Sequence, residues 1–288
     1  MKKSLSTKAM LIASMIIFGT IGLFARNISV SSGELALYRA ILASVLILIY
    51  LTVTGQRIDF KMIKKEIPFL LASGMAMGIN WILLFQAYKY TTISVATLSY
   101  YFAPVIVTVV CPFLFREKLT KKQVLCFCMS TVGLVLIIGI GNIGQGGSDL
   151  IGILFGLGAA VFYAAVILLN KFIKNVTGIH RTFLQFFAAI MILIPYVACT
   201  GGMHLAVLNG IGWGCLLTVG LVHTGITYCM YFSALKDLPG QEAAILSYID
   251  PLTAVLVSTV ILGESMTFQQ LLGGILILGF TLWNEKSS

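Results

Sequence analysis

Polar residues along this chain gather in short clusters, and the stretches between them are apolar nearly all round. Ten such stretches run at about 9–25, 34–53, 67–88, 93–115, 122–140, 150–170, 181–199, 210–234, 241–262 and 268–284. A helix needs about 20 apolar residues to cross the hydrocarbon of a bilayer. The pattern therefore predicts ten membrane-spanning helices, spans 1 to 10. The breaks between them carry turn or helix-start chemistry, as at Thr54-Gly55, the glycine-rich Asn142 to Ser148, Gly201-Gly202 and Pro239-Gly240. Little chain is left for an extramembrane domain. Met1 to Gly19 opens like a secretory signal, with lysines before an apolar run. No small-x-small cleavage site follows closely, so it reads as an uncleaved first span.

Composition agrees. Of the 288 residues, 59% are hydrophobic and 10% charged, with a mean hydropathy of +1.00. A soluble domain dresses its surface with about 25% charged residues, so a soluble enzyme, a nucleic-acid binder and a disordered chain are excluded. The net charge of +9 is explained by its placement. With the N-terminus inside, the inner segments hold sixteen of the 19 lysines and arginines. The outer loops hold Arg26 and Lys89, and Arg39 lies within span 2. Basic residues concentrate on the cytoplasmic side of membrane proteins, so both termini are predicted to be cytoplasmic and the protein to lie in the cell (inner) membrane. Cys111, Cys126, Cys128, Cys199, Cys215 and Cys229 all fall in or beside apolar runs and read as small apolar fillers.

The chain also repeats itself. Shifted by 147 residues, Ala87–Gln123 lies without a gap on Ala234–Gln270, with nine identities in 37 positions. Tyr101 and Pro104 meet Tyr248 and Pro251, and Glu117 and Thr120 meet Glu264 and Thr267. The unit (1–147, then 148–288) holds five spans. Five is odd, so the second copy is inverted in the membrane. Inverted repeats around a midplane site suit alternating access.

Two segments carry a family resemblance. Ser99-Tyr100-Tyr101-Phe102-Ala103-Pro104 running to Arg116-Glu117-Lys118-Leu119-Thr120, and Leu246-Ser247-Tyr248-Ile249-Asp250-Pro251 running to Gly263-Glu264-Ser265-Met266-Thr267, resemble the signature of the drug/metabolite transporter superfamily, EamA-like branch. Leu37-Tyr38-Arg39-Ala40 resembles that family's arginine-bearing second span. The resemblance implies an all-α integral membrane fold of ten helices in two inverted five-helix repeats. It further implies a central cavity lined by spans 1, 3, 4, 6, 8 and 9, and export of amino acids or carriage of other metabolites and drugs.

Asp250 is the sharpest candidate for chemistry. It lies mid-span, where a carboxylate costs about 2.5–3.5 kcal/mol on insertion scales, and its repeat partner is Ala103. It reads as a proton site or a counter-charge for a cationic group, against a structural hydrogen bond. His223, also mid-span, suits proton coupling, against a neutral imidazole tying spans together. Thr227 lies one turn further on the same face, with Asn80 as its repeat partner. Arg39 is read as capturing a carboxylate or, from the peripheral place of span 2 in the resemblance, as a structural clamp. Glu117 and Glu264 recur at matching span exits and read as loop order or gate hydrogen bonds. Pro104 and Pro251 bend their helices and free carbonyls.

Aromatic residues mark the middles of spans: Trp81, Tyr100, Tyr101, Tyr163, Tyr228, Tyr231 and Tyr248. Such a wall with one acid suits an amphipathic or cationic ligand. No HExxH, GxSxG or GxxxxGK[ST] motif occurs. The expectation is a non-enzymatic secondary transporter without cofactor or metal. Its partners are a small molecule, lipid and, through Asp250 and His223, protons. Amino-acid or amphipathic-metabolite export leads, with uptake or exchange of a cationic metabolite and passive facilitation as alternatives.

Overall fold

The computed structural model describes residues 2–56, 58, 63–115, 120–138, 147–176, 178–237 and 246–285. Glu117, Pro239-Gly240 and residues 142–146 of the glycine-rich loop lie outside them. The described residues form an all-helical membrane protein without a strand. Among the described residues, six helical stretches are long and apolar enough to cross a bilayer: Thr7–Ala25, Ser32–Val53, Ile67–Tyr90, Ser148–Asn170, Gly178–Cys199 and Gly210–Ala234. Shorter apolar helical stretches occur at Ile93–Val107, Ile249–Ile261 and Phe268–Trp283.

In chain order the helices are α1 (Lys2–Gly19), α2 (Ile21–Ala25), α3 (Ser32–Val53), α4 (Ile67–Tyr90), α5 (Ile93–Tyr100), α6 (Ala103–Phe115) and α7 (Lys121–Ile138). They continue as α8 (Ser148–Asn170), α9 (Gly178–Cys199), α10 (Gly210–Leu217), α11 (Thr227–Asp237), α12 (Ile249–Leu256) and α13 (Phe268–Glu285). Local chemistry sets several starts. The Ser31 hydroxyl accepts the Glu34 N–H at 3.1 Å and the Glu34 carboxylate accepts the Ser31 N–H at 3.0 Å, a reciprocal cap on α3. Thr92 caps α5 through the Val95 N–H at 3.2 Å, and Asn209 caps α10 through the Gly212 N–H at 2.8 Å.

Two irregularities bear on function. The chain leaves the helix at Tyr101-Phe102 between α5 and α6, and turns again at Tyr248 before α12. Pro104 and Pro251 follow these breaks. Proline has no N–H to give the preceding turn, and it disfavours helical geometry in the residue before it. Between α10 and α11, Thr218–Ile226 widens into a π-helix, as does Val257–Ile261 after α12. In the first, the Thr224 and Thr227 hydroxyls each donate at 2.7 Å to the carbonyl five residues back, Val219 and Val222. Single π turns concentrate at functional sites.

α4 packs along α8 and α9, α3 along α9 and the first π segment, and α1 along α11 and α12. α8 also meets α5 and α6, α5 meets α12, and α7 pairs with α13. Small residues permit these approaches. A Cβ on Gly133 of α7 would stand 2.6 Å from the Gly273 carbonyl oxygen of α13. The main apolar core, with Leu37, Ile47, Phe85, Phe186, Leu193 and Leu216, lies among α3, α4, α9 and α10.

Candidate functional site

α1, α3, α4, α5, α8, α9, α11 and α12 surround a cavity of about 350 Å³. Asp250 lies on its wall at the start of α12, where it accepts a 2.6 Å hydrogen bond from the Tyr101 hydroxyl at the opposite helix break. The two interrupted helices thus place one polar pair between them. α1 crosses α12 closely here: a Cβ on Gly19 would lie 2.5 Å from the Asp250 carbonyl oxygen.

Aromatic rings make much of the remaining wall. Tyr100 stacks on Tyr163 with centroids 5.1 Å apart and planes 28° apart. Tyr228 meets Phe18 and Phe186 edge-on at 5.0 and 5.3 Å, and Trp81 meets Phe186 edge-on at 5.3 Å. Such edge contacts lock ring orientations. Arg39, 3% exposed, projects from α3 over Trp81 at 4.4 Å and Phe85 at 5.2 Å. Its Nε donates to Thr224 Oγ1 at 3.0 Å. Tyr228 lies in the field of both Arg39 and Asp250. Asn80 lines the cavity and donates to the Ala159 carbonyl at 2.6 Å, joining α4 to α8.

The two ends of the cavity differ. Toward one end the lining is polar, with Asn170, Arg181 and Gln185. Gln185 donates to the Asn170 side-chain carbonyl at 2.7 Å, and Arg181 donates to the Val176 and Ile173 carbonyls, both at 2.8 Å. Glu66 braces the same end by accepting the Lys174 and Asn175 N–H groups at 3.0 and 3.1 Å. At the other end Glu264 forms a clasp. It accepts from the Arg26 guanidinium, the Ser258 hydroxyl and, at 3.0 Å, the Ile93 N–H in the first turn of α5. Arg26 also donates to the Thr91 carbonyl at 2.6 Å. One carboxylate therefore ties together the ends of spans 1, 4 and 9. A second hollow of about 420 Å³ includes Arg26, Phe85 and Lys89 in its lining, and Tyr88 lines both hollows.

The sequence model of the EamA-like transporter family matches residues 6–139 and again 150–284. The chain belongs to the EamA-like transporter family. Among its relatives is the uncharacterized transporter YxxF of Bacillus subtilis (strain 168), 32% identical over 272 residues, which are 93% of this chain and 85% of that protein. An uncharacterized transporter of Archaeoglobus fulgidus is 26% identical over 96% of both chains. A solved protein structure covers 96% of both chains with a TM-score of 0.66 at 14% identity, a likeness of fold alone.

Within this EamA-like fold the sequence candidates separate. Asp250, Asn80, Trp81, Tyr100, Tyr163 and Tyr228 share the cavity wall, joined by Tyr101 and Tyr231. Arg39 and the span 7 residues Arg181, Thr182 and Gln185 line it as well, so spans 2 and 7 add to the six implied by the resemblance. His223, Thr227 and Tyr248 are buried and do not line the cavity. Thr227 is turned onto the Val222 carbonyl. His223 Nε2 is 2.9 Å from Thr20 Oγ1 and its ring lies 4.9 Å from Phe24, so it faces span 1. It shares no hydrogen bond or ion pair with Asp250. Mid-span depth located these groups in the sequence. Depth alone does not fix the face each one presents, and only His223 lies within the π segment Thr218–Ile226. Glu34 is likewise no partner for Arg39, since it accepts the His204 N–H at 2.5 Å.

This placement predicts that His223 braces span 1 against span 8. The His223→Asn variant is expected to keep the wild-type pH profile of transport while its Tm falls by a few degrees, as for the loss of a buried hydrogen bond worth about 1 kcal/mol. Transport across pH 5.5–8.5, with a melting curve beside it, checks this. A displaced profile at unchanged Tm makes His223 a coupling group instead.

Proposed function

We propose that the chain is a ten-span secondary transporter that exports an amino acid or similar amphipathic metabolite across the cytoplasmic membrane by alternating access, coupled to protons through Asp250. The carrying observation is an aromatic-walled cavity with a polar end and, at the opposite end, a clasp made by Glu264. A carrier caught with access biased to one side has this form. In the orientation predicted from the lysines and arginines, the clasp is outside and the polar end faces the cytoplasm.

The helix contacts support two inverted halves. Under the 147-residue shift span 1 corresponds to span 6, 2 to 7, 3 to 8, 4 to 9 and 5 to 10. The contact of span 3 with span 6 then has its mate in span 8 with span 1, and that of span 2 with span 8 in span 7 with span 3. The 4–9 and 5–10 contacts map onto themselves. The double match of the family model, once to each half, supports the same reading. Two like units in opposite orientation have two states of similar energy, one open to each side.

A bare cationic metabolite is the weaker reading. Asp250 and the tyrosines would suit it, but Arg39 sets a like charge in the same low-dielectric wall. The test is uptake into proteoliposomes under an imposed proton gradient, with a panel of amino acids, including aromatic ones, and small amines. Saturable counterflow and gradient-driven accumulation support the carrier. Flux that neither saturates nor responds to internal substrate makes the protein a channel.

A further inference from the structure

Arginine offers five N–H donors in a rigid planar fork. Arg39 uses one of them, Nε on Thr224, and the four on its two Nη atoms meet no acceptor among the described residues. Nor does a carboxylate lie within 4.0 Å of the guanidinium among those residues. A buried charge in a membrane protein is expensive unless paired, and the stacking of Arg39 on Trp81 offsets only part of that expense. Yet the residue lines the central cavity.

We propose that the guanidinium of Arg39 is the binding site for the carboxylate of the transported metabolite, which docks against its two Nη groups. This inference rests on the transporter reading and narrows its substrate class to carboxylates with an apolar or aromatic body. The Nη fork matches a planar carboxylate, and Nε is committed to Thr224, which fixes the fork in the plane. Asp250 on the same wall is left to take the ammonium group or a proton, and the aromatic rings that line the cavity receive the apolar body of the molecule. Thr224 belongs to the π segment of span 8, so filling the site loads a contact between spans 2 and 8.

Counterflow in proteoliposomes of the wild-type protein tests this with probes differing at one end. L-phenylalanine carries both charges, N-acetyl-L-phenylalanine only the carboxylate, and L-phenylalaninamide only the ammonium. The two acids are expected to inhibit at concentrations about tenfold or more below that of the amide. In Arg39→Lys and Arg39→Gln the inhibition by N-acetyl-L-phenylalanine should weaken about tenfold or more, with Arg39→Lys the milder because a point charge lacks the fork. Amide inhibition should hold. Should Arg39→Gln not fold, the acid-to-amide ratio in the wild type decides alone. An amide as potent as the acids, or exchange confined to amines, overturns the site and leaves the transporter standing. Absence of counterflow with every compound of the panel overturns the transporter reading and the site with it.

Discussion

Asp250→Asn is expected to abolish proton-driven accumulation while substrate exchange continues. Asparagine has the shape of aspartate, and its side-chain oxygen can still accept the Tyr101 hydroxyl that holds Asp250 at 2.6 Å. The helix break, the tyrosine contact and the cavity wall therefore survive, and only the capacity to take and release a proton is removed. One proton moved per substrate under one pH unit supports about a tenfold concentration ratio, because a pH unit is worth about 1.4 kcal/mol. The wild type should reach such a ratio and the variant a ratio near one, with counterflow rates of the same order in both. Tyr101→Phe serves as the companion, since it keeps the carboxylate and removes its hydrogen bond, so coupling should persist with a displaced pH dependence. Accumulation by Asp250→Asn at the wild-type ratio makes the carboxylate a structural group and the protein a facilitator.

Much of the architecture was legible because lipid is an undemanding reader of sequence. Apolar runs ending in Gly, Pro and Asn place helices well: 210–234 matches the apolar helical stretch Gly210–Ala234, and 67–88 and 150–170 match α4 and α8 to within two residues. The breaks at Tyr101 and Tyr248 were foreshadowed by Pro104 and Pro251, whose missing N–H groups act locally. Faces were illegible for the same reason that helices were easy to see. A span apolar all round carries no moment that says which residue meets the cavity. Mid-span depth marks His223, and the same face marks Thr227, but neither signal says whether that face meets the cavity, and both residues lie off its lining. Arg39 was placed at the periphery with its span, although its long side chain reaches the centre. Arg181 is one of the sixteen basic residues of the inner segments, yet it lies inside α9 and lines the cavity while donating to the Ile173 and Val176 carbonyls. Gln185 is a polar residue about one turn inside the apolar run 181–199, a signal present in the sequence.

The clasp carries the second large expected effect. Glu264 joins three spans through Arg26, the Ile93 N–H and Ser258. Glu264→Gln keeps an oxygen for the Ile93 N–H but turns its NH2 group toward Arg26, so the hydrogen bond from the guanidinium is lost. Hydrogen bonds to charged groups contribute about 1.5–3 kcal/mol. Losing one in a two-state carrier moves the ratio of clasp-open to clasp-closed molecules by roughly tenfold. Glu264→Ala removes all three contacts, leaves the Ile93 N–H without its acceptor and should move the ratio further. A cysteine at Ala254, on the cavity wall, reports the change in a background whose six native cysteines are replaced. Labelling by a membrane-impermeant thiol reagent applied on the clasp side should quicken about tenfold in Glu264→Gln and more in Glu264→Ala. Exchanging the pair, Arg26→Glu with Glu264→Arg, restores the attraction but gives the Ile93 N–H no acceptor, so labelling should return only part of the way. Full restoration by the exchange would mean that charge alone closes this end. Labelling in Glu264→Gln at the parent rate would mean that the clasp holds no gate, and that closure rests on Tyr88 and the packing around it.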